Sequence, residues 1–409
     1  MINKKIKLNQ AVILCGGPGT RLGDITKKIA KPLIILDNKK NMIDFIIMNL
    51  SRYGFKKVLL LCHYHYKKFF KLYHKKKIHD LYIECVYENE LLGSAGSICN
   101  AQKYIDDYFL LCNGDTYFDF NILDLYDKFK HKKYLGIYAL AQTTKNTSRY
   151  SSVKIKKDYI SEFNSNGKGK FKIFSSGIAI FSKKFIKEIK KVRSLENEAI
   201  PLLVKKKKIQ YELYNKTFNN FIDIGIISDL KKSKKFFSKN LKKKFIIFDR
   251  DGIINLDNGY TYKIKEFVWR SNIFDLIKFF NDNNYYTFVA TNQSGIGRGY
   301  YKELDVLKLH DWINKKLKDK GAHIDEFFHA PYFKQSKNKD YKINRNLRKP
   351  NIGMYLKIFS KWLIDKNKSF VIGDSQSDIE FANNAGLNGI LIKPGEDVYK
   401  VSLKKIKEC

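Results

Sequence analysis

Short apolar runs alternate with segments of helical period through both halves of the chain. In the first half, residues 11–15, 57–62, 82–87 and 108–112 predict strands, and 42–53 and 94–104 predict helices. In the second half, 245–248, 287–290, 326–329, 370–372 and 389–392 predict strands. Helices are predicted over 273–281, 302–320, 352–363 and 378–385. Strand–helix–strand order is the βαβ pattern of a mostly parallel sheet, so the fold class is α/β with two Rossmann-like domains. A chain of 409 residues is too long for one ordinary core. The stretch 230–244, LKKSKKFFSKNLKKK, predicts a last helix and a short linker. The domains are therefore expected at 1–232 and 244–409, joined by a linker at 233–243.

Composition changes this picture little. A hydrophobic content of 44%, with 14% aromatics, is enough to bury two cores and argues against wholesale disorder. The formal charge of +37 first suggests nucleic acid. Only nine of the 78 basic residues are Arg, however, and the lysines are scattered along every segment. Ile, Asn, Phe and Tyr are also abundant, and these share AT-rich codons with Lys, so base composition accounts for the charge. No nucleic-acid partner is expected, although a positive field would draw in nucleotides and sugar phosphates. The cysteines Cys15, Cys62, Cys85, Cys99, Cys112 and Cys409 form no C-x-x-C pair, and several sit in apolar runs. They predict reduced thiols in a cytoplasmic protein. Residues 1–7 lack the apolar stretch of an export signal, and no run approaches the roughly 18 apolar residues that cross a bilayer. No membrane association is expected.

The first candidate chemistry follows the first strand, at Gly16-Gly17-Pro18-Gly19-Thr20-Arg21, with Lys31-Pro32 downstream. Glycines at a strand end let backbone N–H groups approach a polyphosphate, and Arg21 and Lys31 supply charge for a triphosphate and its leaving group. The spacing is not that of a Walker A loop. This set resembles the signature of sugar-1-phosphate nucleotidyltransferases. The segment 92–97, Leu-Gly-Ser-Ala-Gly-Ser, is similar to that family's L-G-T-A-G, which lies along the nucleobase. Asn113-Gly114-Asp115 and Phe221-Ile222-Asp223-Ile224-Gly225 resemble its two metal-binding motifs. The resemblance implies a mixed sheet of GT-A type, nucleotide binding by Gly16, Gly17, Gly19, Thr20, Arg21, Gly93 and Ser94, and Mg²⁺ held by Asp115 and Asp223. It also implies in-line attack of a sugar-1-phosphate oxygen on the nucleotide α-phosphorus, positioned by Arg21 and Lys31. The family's F-x-E-K and N-x-G are replaced by Phe163-Asn164-Ser165-Asn166 and Ser175-Ser176-Gly177, with Lys168, Lys170 or Lys172 offering charge instead.

The second candidate is an apolar strand, 245–248, ending in Asp249-Arg250-Asp251-Gly252. Two carboxylates at that spacing suit a nucleophile, Asp249, and a general acid and base, Asp251. Taken alone, such a pair is also found in turns and Ca²⁺ loops. Three further elements follow in order: Thr291-Asn292 to hold phosphate, Arg348-Lys349-Pro350 to balance charge, and Asp374 with Asp378 at a third strand end. Together they resemble the haloacid-dehalogenase superfamily over 245–395. They resemble more narrowly its heptose-bisphosphate and histidinol-phosphate phosphatase branch. This implies a parallel sheet without a large cap and Mg²⁺ held by Asp249, Asp251, Asp374 and Asp378. Many members carry a Zn²⁺ loop, C-x-H…C-x-C, but here those places read 327–329 and 345–347, where only His329 is of ligand type. One His cannot hold a tetrahedral metal, so no structural Zn²⁺ is expected and His329 is assigned to packing or a substrate contact.

Both halves keep their core carboxylates, so both are expected to be active. Removing the 7-phosphate of a heptose 1,7-bisphosphate leaves a heptose 1-phosphate, which a nucleotidyltransferase can take up. The first half resembles the D-glycero-D-manno-heptose-1-phosphate guanylyltransferases, which points to GTP. The alternatives are the same reactions on another sugar with CTP or UTP, or a nucleic-acid end phosphatase with a basic surface. The expected partners are small molecules, a nucleoside triphosphate and sugar phosphates; a homo-oligomer is compatible with the sequence.

Overall fold

A computed structural model describes residues 8–37, 39–142, 150–165, 172–214, 221–239, 242–342 and 346–408. Residues 1–7, Asn166, Lys168, Lys170, Arg345 and Cys409 lie outside the described residues. The chain divides into two compact units, Met1–Asn240 and Leu241–Cys409. Among the described residues, no helix is long and apolar enough to cross a membrane.

The first unit is built on a ten-stranded sheet. Gln10–Leu14 lies between Lys57–Cys62 and Tyr108–Asn113, parallel to both, and Leu81–Tyr87 adds a further parallel strand. Ala11, Val12, Leu60 and Leu110 are buried, as expected of a central strand covered on both faces. Beyond Tyr108–Asn113 the sheet changes direction. Ile173–Ser182 runs antiparallel to it and to Gly136–Gln142, and Ile209–Leu213, Tyr159–Asn164 and Ser152–Lys156 complete that side. The sheet is therefore mixed; the parallel βαβ pattern describes Gln10–Leu14, Lys57–Cys62, Leu81–Tyr87 and Tyr108–Asn113, while Lys76–Ile78 pairs antiparallel at the edge. The predicted helix 94–104 is broken into Gly93–Asn100 and a 3₁₀ turn, Gln102–Tyr104. A separate two-stranded ribbon pairs Thr116–Phe118 with Phe221–Asp223, in register Thr116 to Asp223. That pairing delivers a residue more than a hundred positions downstream to the end of the Tyr108–Asn113 strand. The helix Ile227–Lys239 closes the unit.

The second unit is a five-stranded sheet, parallel throughout, in the order Glu326–Ala330, Tyr286–Asn292, Phe245–Phe248, Phe370–Gly373, Asn388–Leu391. Alternate residues of the central strand feed separate apolar layers. Ile246 and Phe248 pack on one face with Leu276 and Ile313, and Phe245 and Ile247 on the other with Met354 and Phe381. With both faces covered, the strand reads as an unbroken apolar run, and its first polar residue, Asp249, marks the carboxyl edge. In an open α/β sheet the crevice outside that edge is where a ligand site forms.

Candidate active sites

In the first unit a cavity of about 610 Å³ opens at the sheet's carboxyl edge. Gly16, Gly17, Gly19, Thr20, Arg21, Lys31, Gly93, Ser94, Asp115 and Asp223 all line it. The loop after the first strand turns at Gly19, whose φ of 67° a side chain would resist. Lys31 is ion-paired with the Asp115 carboxylate. The Thr116 hydroxyl lies 3.2 Å from Asp115 Oδ1 and 3.3 Å from Asp223 Oδ2, so the ribbon register holds the two carboxylates on either side of one small group. Asp223 Oδ1 also accepts from the Gly225 N–H at 2.6 Å. Arg21 is exposed at the cavity's rim.

Ser94 has a structural task. Its hydroxyl accepts from the Leu195 N–H at 2.8 Å and lies 3.3 Å from Glu196 Oε2, fastening the helix Gly93–Asn100 to the segment at 195–196. That approach needs Gly93, because a Cβ there would meet the Arg193 carbonyl oxygen at 2.5 Å. Two acidic residues in the cavity wall carry no motif and were not expected, Glu88 and Glu196. Burial pushes both carboxyls up. For Glu88 the Ser97 hydroxyl and the Leu92 N–H offset this in part, and for Glu196 a backbone N–H and Ser94 do so. Ser165, Ser175, Ser176 and Gly177 line the other end of the cavity. Lys172 is exposed and lies outside the cavity's described lining.

In the second unit a cavity of about 300 Å³ is lined by Asp249, Asp251, Thr291, Asn292, Lys349 and Asp374, among others. Carboxylate oxygens of Asp249, Asp374 and Asp378 lie within 4.8 Å of one another. Lys349, itself buried, donates to Asp249 Oδ1 at 2.7 Å and to Asp378 Oδ1 at 2.5 Å. Asn292 fixes the Lys349 backbone from both sides: its Oδ1 accepts from the Lys349 N–H at 2.9 Å and its Nδ2 donates to the carbonyl at 3.2 Å. Asp378 is held by the Ser375 hydroxyl at 2.6 Å. Burial pushes the Asp249 carboxyl up; the Lys349 ammonium opposes the shift, and Asp378 and Asp251 add to it. Three clustered oxygen donors at a partly buried strand edge suit a hard divalent cation.

Asp251 departs from expectation. Its carboxylate is not part of the three-aspartate group. Arg250, fully buried, donates to both of its oxygens at 2.7 and 2.8 Å, and Asn255 and Gln293 donate at 3.0 and 2.9 Å. These donors hold the side chain at the cavity wall, apart from the three-aspartate group. Thr291 lines the cavity and accepts from Gln293 at 2.9 Å. Arg348 does not line it; the guanidinium is half-buried near Arg298. His329 is hydrogen-bonded to Glu303 Oε1 at 2.7 Å. Gly259 and Tyr260 complete part of the wall, and nothing in their sequence context marked them.

Comparison with known proteins gives a match to a family model described as nucleotidyl transferase over residues 10–240, and to one described as HAD-hydrolase-like over residues 346–403. The chain is 39% identical over 172 residues to a D-glycero-alpha-D-manno-heptose-1,7-bisphosphate 7-phosphatase of Campylobacter jejuni, a span of 41% of this chain and 94% of that protein. It is also 39% identical over 150 residues to a D-glycero-beta-D-manno-heptose-1,7-bisphosphate 7-phosphatase of Rhodopseudomonas palustris, covering 37% and 83%. A solved structure of a putative glucose-1-phosphate thymidylyltransferase from Bacillus anthracis, in complex with a sucrose, is similar in fold. It has a TM-score of 0.50 and 18% identity over 56% of this chain and 96% of that one.

Proposed function

Because the chain belongs to the nucleotidyl transferase family and to the family of heptose-1,7-bisphosphate 7-phosphatases, we propose that it carries out two consecutive reactions on one sugar. The second unit removes the 7-phosphate of a heptose 1,7-bisphosphate, and the first unit transfers a nucleotidyl group, from GTP, to the heptose 1-phosphate that remains.

In the phosphatase site Asp249 attacks the 7-phosphorus, Asp251 gives a proton to the departing sugar oxygen and then takes one from the water that hydrolyses the aspartyl phosphate. Lys349 and Thr291 hold the phosphoryl oxygens, and Asn292 keeps Lys349 in place. Asp249, Asp374 and Asp378 would hold Mg²⁺, which spreads the charge developing on phosphorus. In the nucleotidyltransferase site the glycine loop, Arg21 and Lys31 hold the triphosphate while an oxygen of the sugar phosphate attacks the α-phosphorus and pyrophosphate leaves. Asp115 and Asp223 would hold Mg²⁺ there. The nucleotide donor places both reactions in the cytoplasm.

The observation that carries this reading is that one chain gathers two separate carboxylate groups at two cavities: Asp115 and Asp223 line one of about 610 Å³, and Asp249 and Asp374, with the buried Asp378 beside them, line one of about 300 Å³. The test is incubation of the protein with each anomer of heptose 1,7-bisphosphate and with GTP, CTP, UTP or ATP, followed by mass analysis. A GDP-heptose together with phosphate and pyrophosphate is expected. A nucleotide sugar formed with another donor removes the choice of GTP, and phosphate release with no nucleotide sugar from any donor removes the coupled reading.

A further inference from the structure

One buried amide in the second unit joins the group that moves a proton to a group that holds the phosphate. Gln293 follows the strand Tyr286–Asn292, and its backbone N–H is fixed to the Ala330 carbonyl at 2.8 Å. Its side-chain Nε2 donates to Asp251 Oδ2 at 2.9 Å and to the Thr291 hydroxyl at 2.9 Å. Its Oε1 accepts from the Tyr301 hydroxyl at 2.8 Å. The carboxylate decides which way the amide faces, since an oxygen turned toward it would be repelled. Tyr301 is buried as well, and its ring lies where a Cβ on Gly295 would meet Cε1 at 2.3 Å and the phenol oxygen at 2.6 Å. Burial pushes the Tyr301 hydroxyl up to about 12, Arg250 opposing the shift and Asp251 adding to it, so it stays protonated and donates. A Thr291 hydroxyl that accepts from Gln293 sends its own proton elsewhere, and Thr291 lines the cavity.

We propose that Gln293, oriented by Tyr301, is a positioning residue whose amide sets Asp251 and Thr291 at a fixed separation and turns the Thr291 hydroxyl proton toward the phosphoryl group. The inference rests on the reading of the Asp249 site as a phosphatase. In that reaction Asp251 must reach the departing sugar oxygen while Thr291 holds another oxygen on the same phosphorus. Their separation therefore bears on the transition state more than on the binding of substrate. Tyr301 acts through Gln293: without the phenol hydroxyl the amide oxygen loses its donor, and the amide is freer to turn away from both partners.

The experiment measures phosphate release from heptose 1,7-bisphosphate by the full-length protein, in wild type, Tyr301→Phe, Gln293→Leu and the double variant, with thermal unfolding to show that each is folded. Tyr301→Phe keeps the ring against Gly295; it should lower kcat about tenfold, the scale of one hydrogen bond, with KM within about threefold of wild type. Gln293→Leu should lower kcat roughly a hundredfold, the effect of a misplacement of about 1 Å. In the Gln293→Leu background, Tyr301→Phe should cost nothing further, because the two residues act as one unit. Gln293→Asn, whose amide is too short to span all three partners, provides a second background for the same comparison if Gln293→Leu does not fold. A Tyr301→Phe loss of equal size with and without Gln293 overturns the relay and leaves the phosphatase reading standing. A rise in KM with kcat unchanged in either single variant also overturns it, since that residue would then contact the sugar. A wild type that releases no phosphate removes the phosphatase reading, and the relay with it.

Discussion

Gly252→Ala is the most informative single change in the second unit. Gly252 has φ at 86°, and a Cβ built there would lie 1.8 Å from Asp374 Oδ2 and 2.4 Å from its Cγ. Two costs follow. The backbone conformation alone costs about 1–2 kcal/mol in any residue with a side chain. The contact matters more, because ordinary van der Waals approach begins near 3.4 Å, so the Asp374 carboxylate must retreat by about 1.6 Å. Asp374 is one of three residues whose oxygens converge within 4.8 Å, and a 1 Å misplacement at a reacting centre costs roughly a hundredfold in rate. Phosphate release from the bisphosphate should therefore fall at least about a hundredfold. Pyrophosphate release from GTP and heptose 1-phosphate should not change, since Gly252 lies in the other unit. The assay follows both products in one preparation, with thermal unfolding to show that the protein remains folded. A folded variant that releases phosphate within about threefold of wild type would refute the assignment of Asp374 to the working group.

Two further outcomes test the first unit. Thr116→Val keeps the volume of a buried side chain but removes the hydroxyl set between Asp115 and Asp223; pyrophosphate release should need roughly ten- to a hundredfold more Mg²⁺, the usual effect of losing a partner of metal ligands, and an unchanged Mg²⁺ titration would exclude this role. Glu88 has its carboxyl raised by burial. The stability this gives is present below the unfolded value of about 4.3 and is lost as pH rises through the folded one. Glu88→Gln should therefore raise the ligand-free Tm of the first unit at pH 8 and flatten its fall from acid to neutral pH. Equal pH slopes in both proteins would show that Glu88 is not the source.

Sequence patterning revealed most clearly those elements whose burial leaves one reading. All five strands of the second unit were expected, and Phe245–Phe248 and Phe370–Gly373, buried throughout, were the plainest, because a parallel strand covered on both faces has no polar positions to disguise it. The same holds for Lys57–Cys62 and Tyr108–Asn113 in the first unit. The edge strand Ser152–Lys156 gave no signal, since it interleaves Lys with its apolar residues; Gly136–Gln142 and Ile173–Ser182 also went unpredicted, although they are interior and largely buried. Site residues at strand ends were legible for a related reason: a carboxylate that ends an apolar strand stands out. Glu196 could not be found that way, because only the folded approach of 195–196 to Ser94 brings it to the wall; Glu88, directly after the predicted strand 82–87, carried that signal and was passed over. Asp251 was placed at the right edge, but its partner was missed. Nothing in D-R-D-G reveals that Arg250 turns inward and takes up the neighbouring carboxylate.

The central claim is that two carboxylate centres on one chain act independently on successive phosphates. Asp249→Asn and Asp115→Ala, each assayed for phosphate release from heptose 1,7-bisphosphate and for pyrophosphate release from GTP with heptose 1-phosphate, test it most directly. Asp249→Asn should lose phosphate release and keep pyrophosphate release, and Asp115→Ala should do the reverse. Loss of both activities in either folded variant would contradict the account.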